Sequence, residues 1–343
     1  MKHQPWRDYL CVDQFMNTAI AARTLETAFE LGVIDCLIDE DAPCLEDICQ
    51  VTGQNTGSLS FLLEMLESID VLNKNNGYTL TEEFNHALEY RDILESKLAF
   101  SNFAAVDFIK YFSDLIRDPN EFMQHAEMFR LFDYGRCFED TEDNIKYARR
   151  WMAFTTMLTR YEGRACAAIH DFGQYKSMLD IGGNSGEFCV QVCKSTPDLK
   201  ATVFDLPVVC KIGVEHVGET EVADRISFVK GDALEDELPT GFDLVSFKSV
   251  LHDWPDDYVV QFLKQAYESI MPGGNLIIFE RAPFKPGEQL ITYSHIPLLL
   301  FSNTLRQPDF YVSLLEEMGC EITIETVELD MPFFLITARR PGD

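Results

Sequence analysis

The sequence is short of basic residues. Its 28 Lys and Arg face 57 Asp and Glu, which gives a formal net charge of −29 at pH 7. Nucleic acids, anionic membranes and polyanionic substrates are bound mainly through Lys and Arg. The composition therefore disfavours all three, and we expect neither nucleic acid nor a membrane as a partner.

Long apolar runs are also absent. No stretch reaches the roughly 18 apolar residues of a membrane-spanning helix, and the opening residues MKHQPWRDYL lack the apolar core of a secretory signal. The 10 cysteines show no metal-ligand spacing. Free thiols without an export signal predict a cytoplasmic protein, and we expect no metal centre.

A glycine-rich turn is the most informative motif that is present. The segment 178–186, MLDIGGNSG, ends an apolar run in an acid and then turns, and the segment 203–207, VFDLP, ends a second run in Asp205. In a parallel α/β sheet this order is typical of a nucleotide site, because glycines let the backbone approach the ligand and the second acid binds ribose hydroxyls. The alternative is a plain strand-to-helix turn with Asp205 as a helix cap.

The composition of this turn argues against a dinucleotide. It lacks the full G-x-G-x-x-G spacing and any basic residue, and Glu187 begins the next helix. A helix N-terminus attracts phosphate, but here a carboxylate already occupies it. A cofactor without phosphates fits better, and S-adenosylmethionine is one. Asn184 replaces a glycine where a positive φ is expected, which Asn tolerates best after Gly.

The pattern of apolar residues changes near residue 170. Before it, apolar residues at helical spacing predict helices, and the segment NKNNGYTLT after the third helix predicts a turn and a short strand. Three helices and a hairpin are the order of a winged helix. The predicted helices cover 15–31, 45–51, 59–71, 92–116 and 121–169.

After residue 170, short β-like runs alternate with helical segments, which predicts an α/β fold with a doubly wound parallel sheet. The last two runs follow each other closely and predict an antiparallel pair. Ligands of such sheets bind at the carboxyl ends of the strands. The runs lie at 177–181, 201–204, 226–229, 244–250, 275–280, 321–329 and 333–339, and the polar residues at their ends are Asp180, Asp205, Asp232, Lys248–His252 and Glu280.

These segments together resemble the S-adenosylmethionine-dependent O-methyltransferases that act on small molecules, a family that includes the caffeic acid and acetylserotonin methyltransferases and bacterial antibiotic-pathway relatives. The matching segments are LDIGGNSG at 179–186, DLPVV at 205–209, GDALE at 231–235, FKSVLHDWPDD at 247–257 and MPGGNLIIFE at 271–280. The resemblance implies a Rossmann-like, seven-stranded methyltransferase sheet in residues 171–343. It also implies that residues 1–170 form a helical, winged-helix-like dimerisation domain that lines the acceptor pocket, and hence a homodimer.

The resemblance also implies a set of cofactor-binding residues. The glycine turn would hold the methionine end of S-adenosylmethionine, Asp205 the ribose hydroxyls, and Asp232 the adenine. Lys248 matches a family lysine that contacts the cofactor. The full implied set is Asp180, Gly182, Gly183, Gly186, Asp205, Leu206, Asp232, Ala233 and Lys248.

His252 matches the catalytic base of the family, and Glu280 matches a carboxylate that orients it; Asp253 completes the catalytic set. The chemistry agrees with these residue types. A phenol has a pKa of about 10, and a histidine with a pKa of about 6.5 can remove its proton as methyl transfer occurs. A carboxylate on the other ring nitrogen fixes the tautomer. The alternative for His252 is a strand-end histidine satisfied by a backbone group.

The acceptor pocket and one departure from the family complete the prediction. In the stretch TLRQPDF at 304–310, Thr304 replaces a second catalytic carboxylate of the family, so we expect His252 to have one acidic partner.

Drifted chemistry, namely hydroxylation, decarboxylation or a pericyclic reaction, is the enzymatic alternative. A DNA-binding regulator is disfavoured because residues 24–73 contain no Lys or Arg. The predicted pocket residues are Trp151, Met152, Met157, Trp254, His295 and Thr304.

Overall fold

The computed structural model describes residues 18–283, 304–329 and 331–342. Within them the chain forms two compact units, the first ending at Met128 and the second beginning at Phe129. The sequence placed the boundary near residue 170, but the helix Glu142–Ile169 belongs to the second unit. Its Gly163 packs directly on Phe188 of the helix that follows the glycine turn. Helical periodicity shows that such a helix has a buried face but does not identify the face's partner.

The first unit is helical with one small hairpin. Gly53 adopts a left-handed φ of 71° and ends the third helix. Leu72 pairs with Leu80 in the antiparallel hairpin. The sequence predicted three helices before the hairpin, but four are present, because Val33–Asp39 forms a separate short helix after Gly32. The winged-helix assignment stays a prediction. The elements are α1 Thr18–Glu30, α2 Val33–Asp39, α3 Leu45–Thr52, α4 Thr56–Ser68, β1 Leu72–Lys74, β2 Tyr78–Leu80, α5 Glu82–Ala87, α6 Arg91–Arg117 and α7 Pro119–His125.

The second unit alternates helices and strands, as predicted. Short 3-10 helices over 127–132 and 134–137 interrupt what the sequence predicted as continuous helix. The further elements are α8 Glu142–Ile169, β3 Ser177–Ile181, α9 Glu187–Ser195, β4 Lys200–Asp205, α10 Pro207–Gly218, β5 Ile226–Lys230, β6 Phe242–Lys248, α11 Asp256–Ser269, β7 Ile270–Arg281, α12 Pro308–Glu317, β8 Glu321–Glu328 and β9 Pro332–Arg339.

Within the described residues these strands form a seven-stranded sheet in the order β5-β4-β3-β6-β7-β9-β8. The first five are parallel, and β9 runs antiparallel between β7 and β8. The predicted doubly wound sheet is therefore confirmed. Because the strand order reverses between β3 and β6, a crevice is expected at the carboxyl ends of these two strands.

Helices cover both faces of the sheet. Successive strand residues point to opposite faces, so neighbouring residues of one strand belong to different apolar cores. Met178 of β3 belongs to a buried cluster that includes Phe188 of α9. The next residue, Leu179, belongs to a second cluster that includes Phe262 of α11. The two apolar cores hold the strands rigidly, so the strand ends carry the polar residues at fixed positions.

Candidate functional site

The glycine turn after β3 has the backbone geometry that a closely approaching ligand requires. Gly182 has a φ of 67°, and a Cβ there would lie 2.9 Å from a methyl carbon of Val250. Asn184 has a φ of 56°, which confirms the positive value predicted for it. Gly186 also has a positive φ, 78°, and caps α9. Larger side chains at the glycines would strain or displace the turn.

Asp205, at the end of β4, is held by this turn. Its Oδ2 accepts a hydrogen bond from the backbone N–H of Asn184 at 2.8 Å, and its Oδ1 accepts one from Leu206 at 2.7 Å. Burial raises the pKa of Asp205 to about 6. A carboxylate has about four acceptor positions, so Asp205 keeps capacity for two ligand hydroxyls such as those of a ribose.

The N-terminus of α9 fits a cofactor without phosphates. Glu187, the first residue of the helix, is only 2% exposed. Its carboxylate accepts hydrogen bonds from Gln191 Nε2 at 2.6 Å and Arg160 Nε at 3.2 Å, and it also contacts His216. These partners hold the carboxylate at the helix terminus, where a phosphate would be repelled. S-adenosylmethionine carries no phosphate, and its sulfonium and ammonium outweigh its one carboxylate.

Asp180 lies beneath the turn. It is 1% exposed, accepts a hydrogen bond from the Ser246 hydroxyl, and has Cys189 Sγ 3.7 Å from its Oδ2. Burial raises its pKa to about 7. A Cβ on Gly183 would lie 2.6 Å from Asp180 Oδ2. Asp180 therefore supports the turn from below, and its contact with the cofactor stays a prediction.

The loop after β5 carries the residues predicted to flank the adenine. Asp232 Oδ1 accepts a hydrogen bond from the backbone N–H of Leu234 at 2.9 Å, and the Asp232 N–H donates to Asp236 Oδ2 at 2.8 Å. Ala233 packs against the core cluster of α11. The loop is thus fixed by its own hydrogen bonds, and its half-buried residues lie beyond the carboxyl end of β5.

Lys248, at the end of β6, is bound by helix α8. Its ammonium pairs with Glu162 and donates to Thr159 Oγ1 at 2.8 Å. Arg281 pairs with the other oxygen of Glu162. Burial lowers the pKa of Lys248, against the opposing effect of Glu162. In the structure the ammonium of Lys248 is bound by Glu162 and Thr159. Its contact with the cofactor stays a prediction.

Helix α8 also contacts the glycine turn, which the sequence did not predict. Thr155 Oγ1 accepts from Asn184 Nδ2 at 3.1 Å, and Thr156 donates to Ser185 Oγ at 2.7 Å. The sequence carried no signal for these contacts, because threonines within a helix are common and Glu162 is buried only once the helix packs. Helix α8 therefore supplies polar contacts both to the turn and to Lys248.

His252 lies in a 3-10 turn, residues 251–253, just beyond β6. It is 8% exposed, and its Nδ1 is 2.8 Å from Glu280 Oε2. The other oxygen of Glu280 accepts from the backbone N–H groups of Val250 at 2.8 Å and Leu251 at 3.0 Å. Glu280 therefore fixes both the imidazole and the backbone that carries it. The predicted pairing of the two residues is present.

The charges around His252 determine its protonation. Burial alone would lower the pKa of His252, but Glu280 and Asp253 outweigh it, and the pKa is raised. Burial opposes ionisation of Glu280, but His252 holds its pKa below the usual range. A carboxylate at Nδ1 keeps a proton on that nitrogen. Nε2 is therefore the nitrogen that can accept a proton.

The expectation of one acidic partner for His252 is wrong. Its Nε2 lies 3.3 Å from Asp253 Oδ1. The short 3-10 turn brings the carboxylate of Asp253 back toward the imidazole of His252. The expectation rested on Thr304 alone, and the sequence at residue 304 carries no information about this turn. The second oxygen of Asp253 accepts a hydrogen bond from the Tyr134 hydroxyl at 2.7 Å.

Arg306 is a further residue that the sequence did not single out. Its guanidinium donates to the backbone oxygens of Leu251, at 2.9 Å, and Trp254, and to Asp256 Oδ1 at 2.8 Å. The two carbonyls lie on either side of His252 and Asp253. Arg306 therefore spans the turn that carries the predicted base. Its place in the stretch TLRQPDF at 304–310 did not indicate this role.

The predicted pocket residues are partly brought together. Tyr134 lies 5.6 Å from Trp151 in an edge-on contact and 6.4 Å from Trp254 in a stacked one, measured between ring centroids. Trp151 is buried, and its indole N–H has no partner among the described residues. Met152 is buried, Met157 and Thr304 are half-buried, and His295 lies outside the described residues.

No group of three or more His, Cys, Asp or Glu side chains in the part of the chain that the structure describes is arranged to hold a metal ion. No helix in the described ranges combines the length and the apolarity needed to span a membrane.

Comparison with known sequences identifies relatives along the chain. Residues 111–320 match a family model described as an O-methyltransferase domain. Acetylserotonin O-methyltransferase of Bos taurus is 32% identical over 339 residues, covering 93% of this chain and 94% of that protein. The 3-amino-4-hydroxybenzoate 4-O-methyltransferase of Streptomyces cremeus is 25% identical, covering 91% of this chain and 86% of that protein. A probable bifunctional dTTP/UTP pyrophosphatase/methyltransferase of Homo sapiens is 28% identical, with 76% of this chain covered but only 42% of that longer protein.

Solved structures show the same fold. The mitomycin 7-O-methyltransferase MmcR superposes with a TM-score of 0.75 at 22% identity, covering 96% of this chain and 97% of that one. Human N-acetylserotonin methyltransferase, in complex with SAM, gives a TM-score of 0.74 at 21% identity, covering 99% of both chains. Neither drifted chemistry nor a DNA-binding regulator is favoured by these relatives, and the resemblance stated from the motifs is confirmed. The chain belongs to the S-adenosylmethionine-dependent O-methyltransferase family of enzymes.

Proposed function

We propose that this protein methylates a phenolic hydroxyl of a small aromatic molecule, with His252 as the general base. The observation that carries the proposal is the His252–Glu280 pair, joined at 2.8 Å beside the carboxyl edge of the sheet. S-adenosylmethionine, when bound, supplies an electrophilic methyl group with a good leaving group. The chain must then align the acceptor and remove its proton, and alignment alone can contribute several kcal/mol.

The proton transfer follows from the geometry at His252. Glu280 keeps a proton on Nδ1, so Nε2 accepts the acceptor's proton as the oxygen attacks. The imidazolium formed is stabilised by Glu280, whose position is fixed by the backbone N–H groups of Val250 and Leu251. The predicted cofactor residues lie at the carboxyl ends of neighbouring strands. They are the glycine turn after β3, Asp205 after β4, the loop at Asp232 after β5, and Lys248 at the end of β6.

Two observations support an aromatic, phenolic acceptor. Tyr134, Trp151 and Trp254 form a group of packed aromatic rings, and the Tyr134 hydroxyl bonds Asp253 next to His252. Aromatic side chains favour stacked or edge-on contacts with an aromatic ligand. The name of the Streptomyces cremeus relative specifies methylation of a hydroxybenzoate oxygen.

We propose a homodimer formed through the first unit. Helix α6 carries a row of exposed apolar side chains at spacings of three and four residues: Val106 at 62%, Ile109 at 72%, Phe112 at 49% and Ile116 at 70% exposure. Residues at these spacings share one face of a regular helix, and non-helical backbone angles at Tyr111 introduce a kink within the row. An exposed apolar row of this kind usually marks a protein interface. The occupant we propose is the same face of a second copy, which gives a closed two-fold interface.

We propose a cytoplasmic enzyme that binds neither nucleic acid nor membranes. The net charge of −29 supports the absence of polyanionic partners. The described cysteines, most of them buried, are all unpaired, as is usual in a reducing compartment.

The experiment that tests the reaction uses methyl-labelled S-adenosylmethionine and a panel of phenols, each paired with the corresponding amine. We expect label in the methyl ether of one or more phenols. Label only in the amines, or in none of the compounds while the cofactor still binds, would contradict the proposed phenolic hydroxyl.

A further inference from the structure

The two carboxylates around His252 contact different nitrogens. Glu280 Oε2 lies 2.8 Å from Nδ1, whereas Asp253 Oδ1 lies 3.3 Å from Nε2. Nε2 is the nitrogen that accepts the acceptor's proton in the proposed reaction. Asp253 is therefore directed at the same atom that the acceptor must reach.

This arrangement requires a proton between the two groups. With Nδ1 protonated, a neutral His252 presents the lone pair of Nε2, and an ionised Asp253 presents another lone pair 3.3 Å away. Two acceptors that face each other repel unless one of them carries a proton. His252 and Asp253 therefore share a proton before an acceptor binds.

Among these groups, Asp253 has the best access to water. Its side chain is 23% exposed, against 10% for His252 and 1% for Glu280. Two arginines also lie near the pair among the described residues: the guanidinium of Arg281 pairs with Glu162, and that of Arg306 binds the carbonyls of Leu251 and Trp254. A proton on Nε2 can therefore reach solvent through Asp253, which contacts that nitrogen and is partly exposed. Glu280, on the Nδ1 side, is buried and gives no access to water.

Tyr134 fixes the position of Asp253. Its hydroxyl donates to Asp253 Oδ2 at 2.7 Å, so Oδ1 is left directed at Nε2. The ring of Tyr134 is itself held between Trp151 and Trp254. Rotation of the Asp253 carboxylate away from His252 would break the hydrogen bond to Tyr134.

We propose that Asp253 carries the proton of each turnover from His252 to solvent and that Tyr134 is the residue that positions it; this rests on the proposed function. The proton that the pair shares in the free enzyme passes to solvent when the acceptor hydroxyl takes the place of Asp253 at Nε2, and it returns from solvent when the product leaves. In the first step the acceptor O–H bond breaks and an Nε2–H bond forms as the methyl group is transferred. In the second step the Nε2–H bond breaks and a bond between hydrogen and Asp253 Oδ1 forms. Water then takes the proton from Asp253, which balances the one proton released per methyl ether.

The first test measures the histidine itself and needs no acceptor. The titration of His252 is followed by NMR in the cofactor-bound protein, with His252→Gln used to assign the signal. Asp253→Asn removes the charge at Nε2 and should shift the titration to lower pH. Asp257→Asn, the same change at an exposed acid nearby, should leave it in place. An unchanged titration in Asp253→Asn overturns the shared proton, whether or not phenols are methylated.

The second test compares a single turnover with repeated turnover. Asp253→Asn should slow steady-state turnover by about tenfold or more, and added small buffers such as imidazole should restore it. The first methyl transfer, measured with enzyme in excess, should fall clearly less than the steady-state rate does. Tyr134→Phe should give a smaller loss of the same kind, whereas Tyr258→Phe should give none. A single turnover slowed as much as the steady state, or a loss that buffers do not restore, overturns the exit role of Asp253.

Discussion

Arg306 donates a hydrogen bond to the backbone oxygen of Leu251 at 2.9 Å, one residue before the predicted base. The same guanidinium bonds the carbonyl of Trp254 and the carboxylate of Asp256. Neither contact touches the imidazole of His252. The three bonds together tie the 3-10 turn to the start of α11, so the orientation of His252 depends on a residue that lies 55 positions after Leu251.

Replacing Arg306 with Lys should slow catalysis without affecting the cofactor. Lysine keeps the charge but cannot bond two carbonyls and a carboxylate in one plane. We expect turnover to fall by about tenfold and the free energy of unfolding by about 1–3 kcal/mol. Kinetics, calorimetry with cofactor, and denaturant unfolding measure these effects. Arg340→Lys, which removes a similar bridge between the carbonyls of Tyr267 and Ile270, should cost stability but not turnover. Equal effects of both on turnover would contradict the role of Arg306.

Asp205→Ala should weaken cofactor binding. The change removes a charged acceptor, and hydrogen bonds to charged groups contribute about 1.5–3 kcal/mol. Calorimetry should therefore show affinity lower by about tenfold or more. Asp198→Ala, at a surface ion pair with Lys176, is the matched control and should bind normally. An unchanged affinity in Asp205→Ala would remove the ribose assignment.

His252→Gln should retain the cofactor and lose turnover. Glutamine keeps hydrogen-bonding capacity but cannot take a proton, and general base catalysis contributes about 10²–10⁴-fold. Initial rates with the best phenol of the panel measure the loss, and calorimetry checks the cofactor. His86→Gln, at an exposed position of the first unit, serves as control. If the His252 variant keeps most of its activity, alignment alone drives transfer.

The pH dependence of the rate should reflect the raised pKa of His252. The base must be deprotonated to act, so the rate rises with pH through this pKa, which Glu280 and Asp253 place above its usual value. Thr304→Glu adds an anion and should move the rise to still higher pH, because a nearby negative charge stabilises the imidazolium. Thr304→Gln is the uncharged control. If the profile of a folded, cofactor-binding Thr304→Glu does not move, residue 304 lies outside the active site.

The apolar face of α6 should determine the assembly. Light scattering of the wild type should give about twice the chain mass of 39.2 kDa, as a closed two-fold dimer requires. Ile109→Glu puts a charge in the middle of the face and should yield monomers, because an unpaired charge opposes burial. Ile324→Glu, at an exposed position of β8, should leave the dimer intact. A wild-type monomer at micromolar concentration would refute the proposal.

The sequence alone determined the sheet and much of the site. Asp205, His252 and Glu280 could be located because parallel strands end at one edge, so polar residues after successive apolar runs converge there. Asn184 could be assigned a positive φ because the tight turn leaves few conformations to its backbone. These inferences depend on short-range patterns: the alternation of strands and helices, and the chemistry of turns.

Only the tertiary structure decided which distant residues join the site. Glu162 of α8 meets Arg281, and Tyr134 meets Asp253, each across 119 residues of chain. The apolar pattern of α8 predicts a helix but not the sheet edge on which it packs, so Thr159 and Glu162 carried no functional signal. The second acidic neighbour of His252 was missed for a similar reason. The position of Asp253 opposite Nε2 depends on the 3-10 turn, which Glu280 and Arg306 hold through hydrogen bonds to its backbone. Contacts of this kind between distant side chains produce no periodic pattern in a single sequence.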